Sequence, residues 1–322
     1  MNRFNQTILD WYAQNGRDLP WRRTRDPYAV WLSEIILQQT RVVQGTAYWH
    51  RFMERFPTVE SLASASEDEV LRLWEGLGYY SRARNLHAAA KQVVAMGGFP
   101  ETLEGIGSLK GVGDYTAAAI GSICFGLPAA VVDGNVYRVL SRYFGIATPV
   151  GTSAAKKEFT ALATSLLPAD ASSFNQGLMD FGALQCVPQN PGCEDCPLLP
   201  TCNAYRTGRV ALLPVKKEKT QVKEVRLSYT YIRVKGYTAI RRRGPGDIWQ
   251  GLREPYAGVL DGARLVKSDV KHQLTHRTLL ADFYLYEAAE RPVLPEDYIW
   301  IPEQDLDRYA KPRLFELLIE AI

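Results

Sequence analysis

The chain has 322 residues, more than one typical domain and enough for two with separate cores. Hydrophobic residues make up 46% and charged residues 23%, the balance of a soluble globular protein, and no apolar run reaches membrane-spanning length. A formal net charge of +3 is too small to announce a nucleic-acid partner, because phosphate binding depends on local patches rather than totals.

Residues 1–10 are polar and lack the basic start, apolar middle and small-residue cleavage site of a secretory leader, which predicts a cytosolic chain. The first two thirds then run helix after helix, with apolar residues at three- and four-residue spacing between Gly and Pro breaks. Segments 28–44, 67–77, 81–96, 116–125 and 135–144 carry the pattern, and no strand pattern interrupts them. This region, 1–213, is predicted to be all-α. The lysine-rich stretch 214–224 has no apolar face and reads as a linker. Beyond it Val225, Leu227, Tyr229 and Tyr231 alternate with mostly polar residues, the period of a half-buried strand, and 237–240 is the expected hairpin partner. A strand-like run at 279–286 and a closing helix at 312–322 make 225–322 a small α+β domain. Basic and acidic residues number 19 each up to Leu213, and 19 against 16 beyond it. The excess includes Lys216, Lys217, Lys219, Lys223 and Arg241, Arg242, Arg243, which suit a solvated linker and strand end as well as phosphate contact.

Five cysteines in a cytosolic chain point to metal binding before disulfides. Cys124 stands alone in the apolar stretch 117–125, where a buried, unreactive thiol is expected. Cys186, Cys193, Cys196 and Cys202 are separated by six, two and five residues, a density that suits a tetrahedral metal or an iron-sulfur cluster. Spacing alone leaves zinc and the cluster both open. Upstream, Leu109-Lys110-Gly111-Val112-Gly113-Asp114-Tyr115-Thr116 precedes an apolar helix. The glycines permit a tight turn whose bare backbone N–H groups can meet a phosphate, although cap and turn glycines are commoner than DNA-binding hairpins.

Asp133-Gly134-Asn135-Val136 opens a further helix, and Asp133 reads as its N-cap. The same position, a helix N-terminus, stabilises an ionised carboxylate. Glu34, if helical, has Val30, Trp31, Leu37 and Gln38 one turn away, three of them apolar. Such surroundings raise a carboxyl pKa, and a raised Glu beside an ionised Asp separates proton donor from anion. The competing reading is a Glu at the solvent edge of an amphipathic helix.

The cysteine spacing at the end of an all-α region, with the Gly-Val-Gly hairpin upstream, resembles the 4Fe-4S endonuclease III superfamily of DNA glycosylases. Leu19-Pro20-Trp21-Arg22, Asp26-Pro27-Tyr28, Ser33-Glu34, Leu37-Gln38-Gln39-Thr40, the run from Gly76 to Leu86 and Val132-Asp133-Gly134-Asn135 are similar to its adenine glycosylase (MutY) branch, over nearly all of residues 11–205. The resemblance implies a helix-hairpin-helix glycosylase of base excision repair with a 4Fe-4S cluster on the four clustered cysteines. It implies that Glu34 protonates adenine and Asp133 stabilises the sugar cation, with Asn135 and Tyr115 completing that polar site. Arg17, Trp21, Arg22 and Gln176 match positions lining the base pocket, although Trp21 and Gln176 equally suit packing and capping. Gln39 and Tyr79 match residues that wedge into the base stack, and Thr40, Leu77, Lys110, Gly111, Val112 and Gly113 are the further DNA contacts implied. The implied partner is double-stranded DNA holding adenine opposite 8-oxoguanine or guanine, bound by a monomer in the cytoplasm, on the nucleoid.

Bifunctional relatives carry a lysine where this chain has Tyr115. A phenol cannot form a Schiff base with the sugar, so base hydrolysis without a strong lyase step is expected. The C-terminal region resembles the family's Nudix-like domain, and the glutamate run that its nucleotide-hydrolysing relatives need is missing. It is expected to recognise 8-oxoguanine through Leu274-Thr275-His276, where Leu274 departs from the family's usual aromatic. Two competing readings are a glycosylase for oxidised pyrimidines, against which Tyr115 and the C-terminal region argue, and a non-catalytic DNA-binding iron-sulfur protein, against which Glu34 with Asp133 argues.

Overall fold

The computed structural model describes residues 3–217, 223–246, 248–274 and 277–322. The helices in chain order are α1 (Arg3–Asn15), α2 (Pro27–Leu37), α3 (Val42–Arg55), α4 (Val59–Ser64), α5 (Glu67–Leu73), α6 (Ser81–Ala95), α7 (Leu103–Gly107), α8 (Asp114–Phe125), α9 (Gly134–Phe144), α10 (Ser153–Leu166), α11 (Ala171–Leu184) and α12 (Asn203–Arg206). Strands β1 (Lys223–Arg233), β2 (Tyr237–Arg242), β3 (Arg253–Glu254), β4 (Tyr256–Ala257), β5 (Arg264–Gln273), β6 (Arg277–Glu287) and β7 (Tyr298–Pro302) follow, then α13 (Arg313–Ile319). Among the described residues no helix is long and apolar enough to cross a membrane. The contacts form two compact units, Met1–Glu60 with Ala89–Glu218, and Ser61–Ala88 with Lys219–Ile322. Residues 61–88, which a single cut at the linker leaves with the helices, cluster instead with the strands.

The first unit is helical. Asp26 caps α2 by accepting from the Tyr28 N–H at 3.0 Å, and Pro27 at the first helical position loses no bond there. Tyr28 to Ile36 are all buried, so α2 runs through the core rather than over it. Val30 of α2 packs with Phe4, Ile8, Ala119, Val136, Val139, Leu140, Phe159, Phe174, Leu178 and Phe181 in one cluster. Each large apolar side chain fully buried there contributes about 1.5–3 kcal/mol. Gly182 on α11 is needed at the start of α9, because a Cβ there would lie 2.9 Å from the Asn135 carbonyl oxygen. The expected linker begins as part of this unit: Val150 donates to the Val215 carbonyl at 2.8 Å and Lys217 donates back to Val150 at 3.2 Å.

The second unit holds two sheets, ordered β4-β1-β6-β5 and β3-β2-β7. On β6 the residues Leu279, Ala281, Phe283 and Leu285 alternate buried against less buried neighbours, the two-residue period of a strand with one face on a core. That core adds Tyr229, Tyr231, Ile240, Leu314, Phe315 and Leu318. The expected hairpin of 225–231 with 237–240 is corrected. Val234 and Tyr237 exchange two 2.9 Å hydrogen bonds across Lys235 and Gly236, both at positive φ, but the strands then part. β1 runs parallel to β6 from Lys223 to Arg233, while β2 pairs with β7 and β3. Thr238, Ala239 and Ile240 are consecutive and all buried, so β2 lies with both faces covered, which a two-stranded ribbon cannot provide. Residues 61–88 are tied in by Arg242 to Glu67 at 2.6 Å, Arg253 to Asp68 at 3.3 Å, Arg84 to the Gln250 carbonyl, and the Lys311 N–H to Glu75 at 3.1 Å.

Candidate active site

A cleft of about 910 Å³ in the helical unit is lined by Arg17, Trp21, Arg22, Glu34, Gln39, Thr40, Tyr115, Asp133, Asn135 and Gln176. Sequence positions spread over more than 150 residues thus meet at one cavity. Glu34 is only 9% exposed, because α2 is buried from Tyr28 to Ile36 and the cleft opens only on the stripe of Val30, Glu34 and Leu37, so the solvent-edge reading is set aside. Burial, with a smaller push from the Asp133 charge, raises its carboxyl to about 7. A hydrogen bond from Tyr115 and the charge of Arg22 offset part of that rise. The Tyr115 hydroxyl also lies 3.6 Å from the Met179 Sδ. It has one proton, and a carboxylate is the stronger acceptor. Burial raises the Tyr115 phenol well above its ordinary value, and the two nearby carboxylates add to the effect.

Asp133 caps α9, one oxygen accepting from the Val136 N–H at 2.7 Å and the other from the Asn135 side chain at 2.8 Å. Burial raises its carboxyl, although these donors and Arg138 pull the other way. Arg138, one turn into α9, donates to Asn135 Oδ1 at 2.8 Å, to the Gly182 carbonyl at 2.6 Å and to the Cys186 carbonyl at 2.7 Å. Gln176 is held by Ser172 through its amide nitrogen at 3.1 Å, while its Oε1 is buried with no hydrogen-bond partner. An unsatisfied buried acceptor on a cleft wall can take a donor brought by a ligand or a water.

Asp180 was not singled out from the sequence. It is fully buried on α11 and accepts five hydrogen bonds, from Arg17 N, Nε and Nη2 and from Arg22 Nη1 and Nη2, at 2.5–2.9 Å. The available signal was an aspartate inside the apolar run Leu178-Met179-Asp180-Phe181, since a buried charge must be paired. Burial works against ionisation, but Arg22 and Arg17 outweigh it and hold the Asp180 carboxyl below the usual range.

The hairpin between α7 and α8 turns at Gly111, whose φ of 77° suits glycine. Lys110, Gly111 and Gly113 are exposed, whereas Val112 and, in the other unit, Leu77 are buried, Leu77 on the wall of a cavity. Gln39 and Tyr79 are exposed, and both hold positive φ, 58° and 46°. That conformation costs a non-glycine residue on the order of 1–2 kcal/mol, so each loop is fixed by its surroundings.

The second unit has its own cavity of about 730 Å³, walled by Tyr79, Tyr80, Arg84, Trp249, His272, Leu274 and others. Trp249, another residue the sequence did not flag, has φ of 61° and its ring lies 5.9 Å from that of His272. Thr275 and His276 lie outside the described residues.

Cys186, Cys193, Cys196 and Cys202 ring one small cavity, with Arg142 donating to the Cys186 sulfur at 3.4 Å and to the Val187 and Pro188 carbonyls. Among the described residues no three His, Cys, Asp or Glu side chains stand close enough to hold a single metal ion. Cys124 is partly buried, and burial pushes its thiol up to about 12.

Residues 32–165 match the HhH-GPD superfamily of base excision DNA repair proteins. The chain is 38% identical over 253 residues to an adenine DNA glycosylase of Buchnera aphidicola subsp. Schizaphis graminum, spanning 77% of this chain and 73% of that protein. With the adenine DNA glycosylase of Homo sapiens it shares 46% over 213 residues, which is 62% of this chain and 39% of that longer protein. Among solved structures, a thermostable thymine-DNA glycosylase aligns with a TM-score of 0.58 at 34% identity, over 63% of this chain and 95% of that one. A trapped endonuclease III–DNA covalent intermediate aligns at 0.55 with 22% identity over 63% of this chain and 94% of that one, a likeness of fold.

Proposed function

The chain belongs to the adenine DNA glycosylase family, and we propose that it removes adenine placed opposite 8-oxoguanine by hydrolysis alone, with Glu34 as proton donor and Asp133 as counter-ion. The observation that carries this reading is Glu34 buried in the same cleft as Asp133, its carboxyl near 7 and able to hold a proton at neutral pH. An adenine turned out of the duplex enters the cleft, where the Gln176 Oε1 accepts from its amino group. Glu34 donates its proton to a ring nitrogen. The bond between base and sugar carbon then breaks with its electron pair moving to the base, leaving a cationic sugar beside the Asp133 carboxylate. Water adds to that carbon, its surplus proton returns to Glu34, and neutral adenine leaves an abasic site. Tyr115 offers no amine for covalent capture. The assay is excision from an adenine:8-oxoguanine duplex with and without alkali: strand breaks only after alkali are expected, and breaks without it overturn the hydrolytic reading.

The chain acts on DNA as a monomer in this reading. The exposed Lys110 and the hairpin backbone hold phosphate, Gln39 and Tyr79 enter the stack, and the cavity holding Tyr79, Trp249 and Leu274 reads the opposite base. Replacing Gln39 with Gly relieves its positive φ while removing the wedge. The expected outcome is a melting temperature within about 2 °C of the parent and affinity for a mispaired duplex reduced roughly tenfold by fluorescence anisotropy.

The four cysteines would hold a 4Fe-4S cluster, which supplies a cross-link of four thiolate bonds to the 186–202 loop. Arg138 and Arg142 join that loop to α9, the helix that Asp133 caps. Cys196→Ser is expected to lower iron and sulfide content and to weaken DNA binding. A colourless parent protein that contains zinc removes the cluster from the reading.

A further inference from the structure

We propose that Asp180 is the positioning residue of the adenine cleft, fixing the guanidiniums of Arg17 and Arg22 and cancelling one of their two charges beside Glu34. The inference rests on the reading of Glu34 as the acid.

Arg17 and Arg22 line the cleft, whereas Asp180 is not among the lining side chains and is fully buried behind them. The Arg17 Nε and Nη2 both reach Oδ1, and Arg22 spans the carboxylate with Nη1 on Oδ2 and Nη2 on Oδ1. Two planar forks on one carboxylate leave neither guanidinium free to rotate. The Arg17 backbone N–H fills a further acceptor site, and Arg22 Nη1 also meets the Arg17 carbonyl at 3.2 Å, so the two arginines are locked to each other as well. The trio carries a single net positive charge.

The groups bearing on Glu34 are Tyr115 from α8, Asp133 at the start of α9, and Arg22 from the turn before α2. The Cys124 thiol in turn feels the Glu34 charge. Asp180, on α11, acts on Glu34 through Arg22. Arg22 favours the ionised form of Glu34, which is the form that cannot donate. With Asp180 neutral, the guanidiniums repel each other and Arg22 presents its whole charge to Glu34. The acid then loses its proton at lower pH. Asp180 therefore permits two cations to shape a base pocket without stripping the acid that works in it.

The test is single-turnover excision of adenine opposite 8-oxoguanine by the full-length, cluster-loaded protein, from about pH 6 to about pH 9. In Asp180→Asn the alkaline limb is expected to move to lower pH, so that the rate at about pH 8 relative to that at about pH 6 falls a further roughly tenfold. Adding Arg17→Met to Asp180→Asn restores the single net charge and should move the limb back. A uniform loss of rate with the limb in place, or a limb that does not return in the double variant, overturns the proposal in favour of a structural role. If Asp180→Asn does not fold, Arg17→Met alone decides: freeing Asp180 to serve only Arg22 must move the limb to higher pH, and an unmoved limb overturns the proposal. Glu34→Gln run alongside separates the two failures. Excision retained there means the acid assignment has failed, whereas an inactive Glu34→Gln with an unmoved limb in the Asp180 variants means only this inference has.

Discussion

Replacing Glu34 with Gln is expected to slow adenine release by at least roughly a hundredfold, the lower end of what a positioned general acid contributes, while duplex affinity stays near that of the parent. The amide keeps the shape and most of the hydrogen-bonding capacity of the acid but has no transferable proton. The pH dependence gives an independent check. Burial raises the Glu34 carboxyl to about 7, so the donor form prevails below that pH and is lost above it. Excision should therefore fall on the alkaline side, approaching tenfold per pH unit, and Glu34→Gln should show no such limb in whatever activity remains. Single-turnover rates across the range, with binding measured in parallel, decide the matter. Unchanged excision by Glu34→Gln would falsify the assignment, and a parent rate flat from about pH 6 to about pH 9 would place the proton donor elsewhere.

The burial of Glu34 was legible because its environment is local: three of the four residues one helical turn away are apolar, and a helix with so few polar positions is buried. Asp133 was legible for the same kind of reason, since a cap is defined by the few residues that follow it. Asp180 and Arg138 were not, because what makes them matter lies far off in sequence. Asp180 meets Arg17 across 163 positions, and Arg138 meets Cys186 across 48. The departure of β1 from β2 has a similar origin. The turn at Lys235-Gly236 is a local signal and forms, but strand partners are chosen by the buried area each sheet offers, and β1 finds in β6 a partner along its whole length. Trp249 carried no signal beyond being an aromatic in a loop, and its positive φ is visible only in three dimensions.

Cutting the chain after Leu213 is expected to cost more than lesion reading. A single seam suggests that adenine excision and recognition of the opposite base separate cleanly there. Residues Ser61–Ala88, however, belong to the same compact unit as the strands, so the cut removes their partners. Glu67 and Asp68 lose Arg242 and Arg253, and Glu75 loses the Lys311 N–H. Arg84 loses the Gln250 carbonyl. The exposed ion pairs are each worth less than about 1 kcal/mol, so the larger loss is packing. Leu71 is fully buried, and a Cβ built on Gly251 would lie 3.2 Å from its Cδ1, which places the 251 turn directly against it. The loop carrying Tyr79 at positive φ sits in the same stretch and depends on those surroundings to hold a strained conformation. The fragment should thus melt below the full chain, and limited proteolysis should cut first within 61–88. Adenine excision should persist at reduced rate, with preference for 8-oxoguanine over guanine lowered at least roughly tenfold, the worth of one hydrogen bond at a lesion edge. Trp249→Ala in the full chain distinguishes reading from support: it removes a wall of the cavity beside Tyr79 and Leu274 while leaving the ties to 61–88 in place. It should lower the preference with little change in proteolysis. A fragment that keeps both its protease resistance and its preference would remove the recognition role from the second unit.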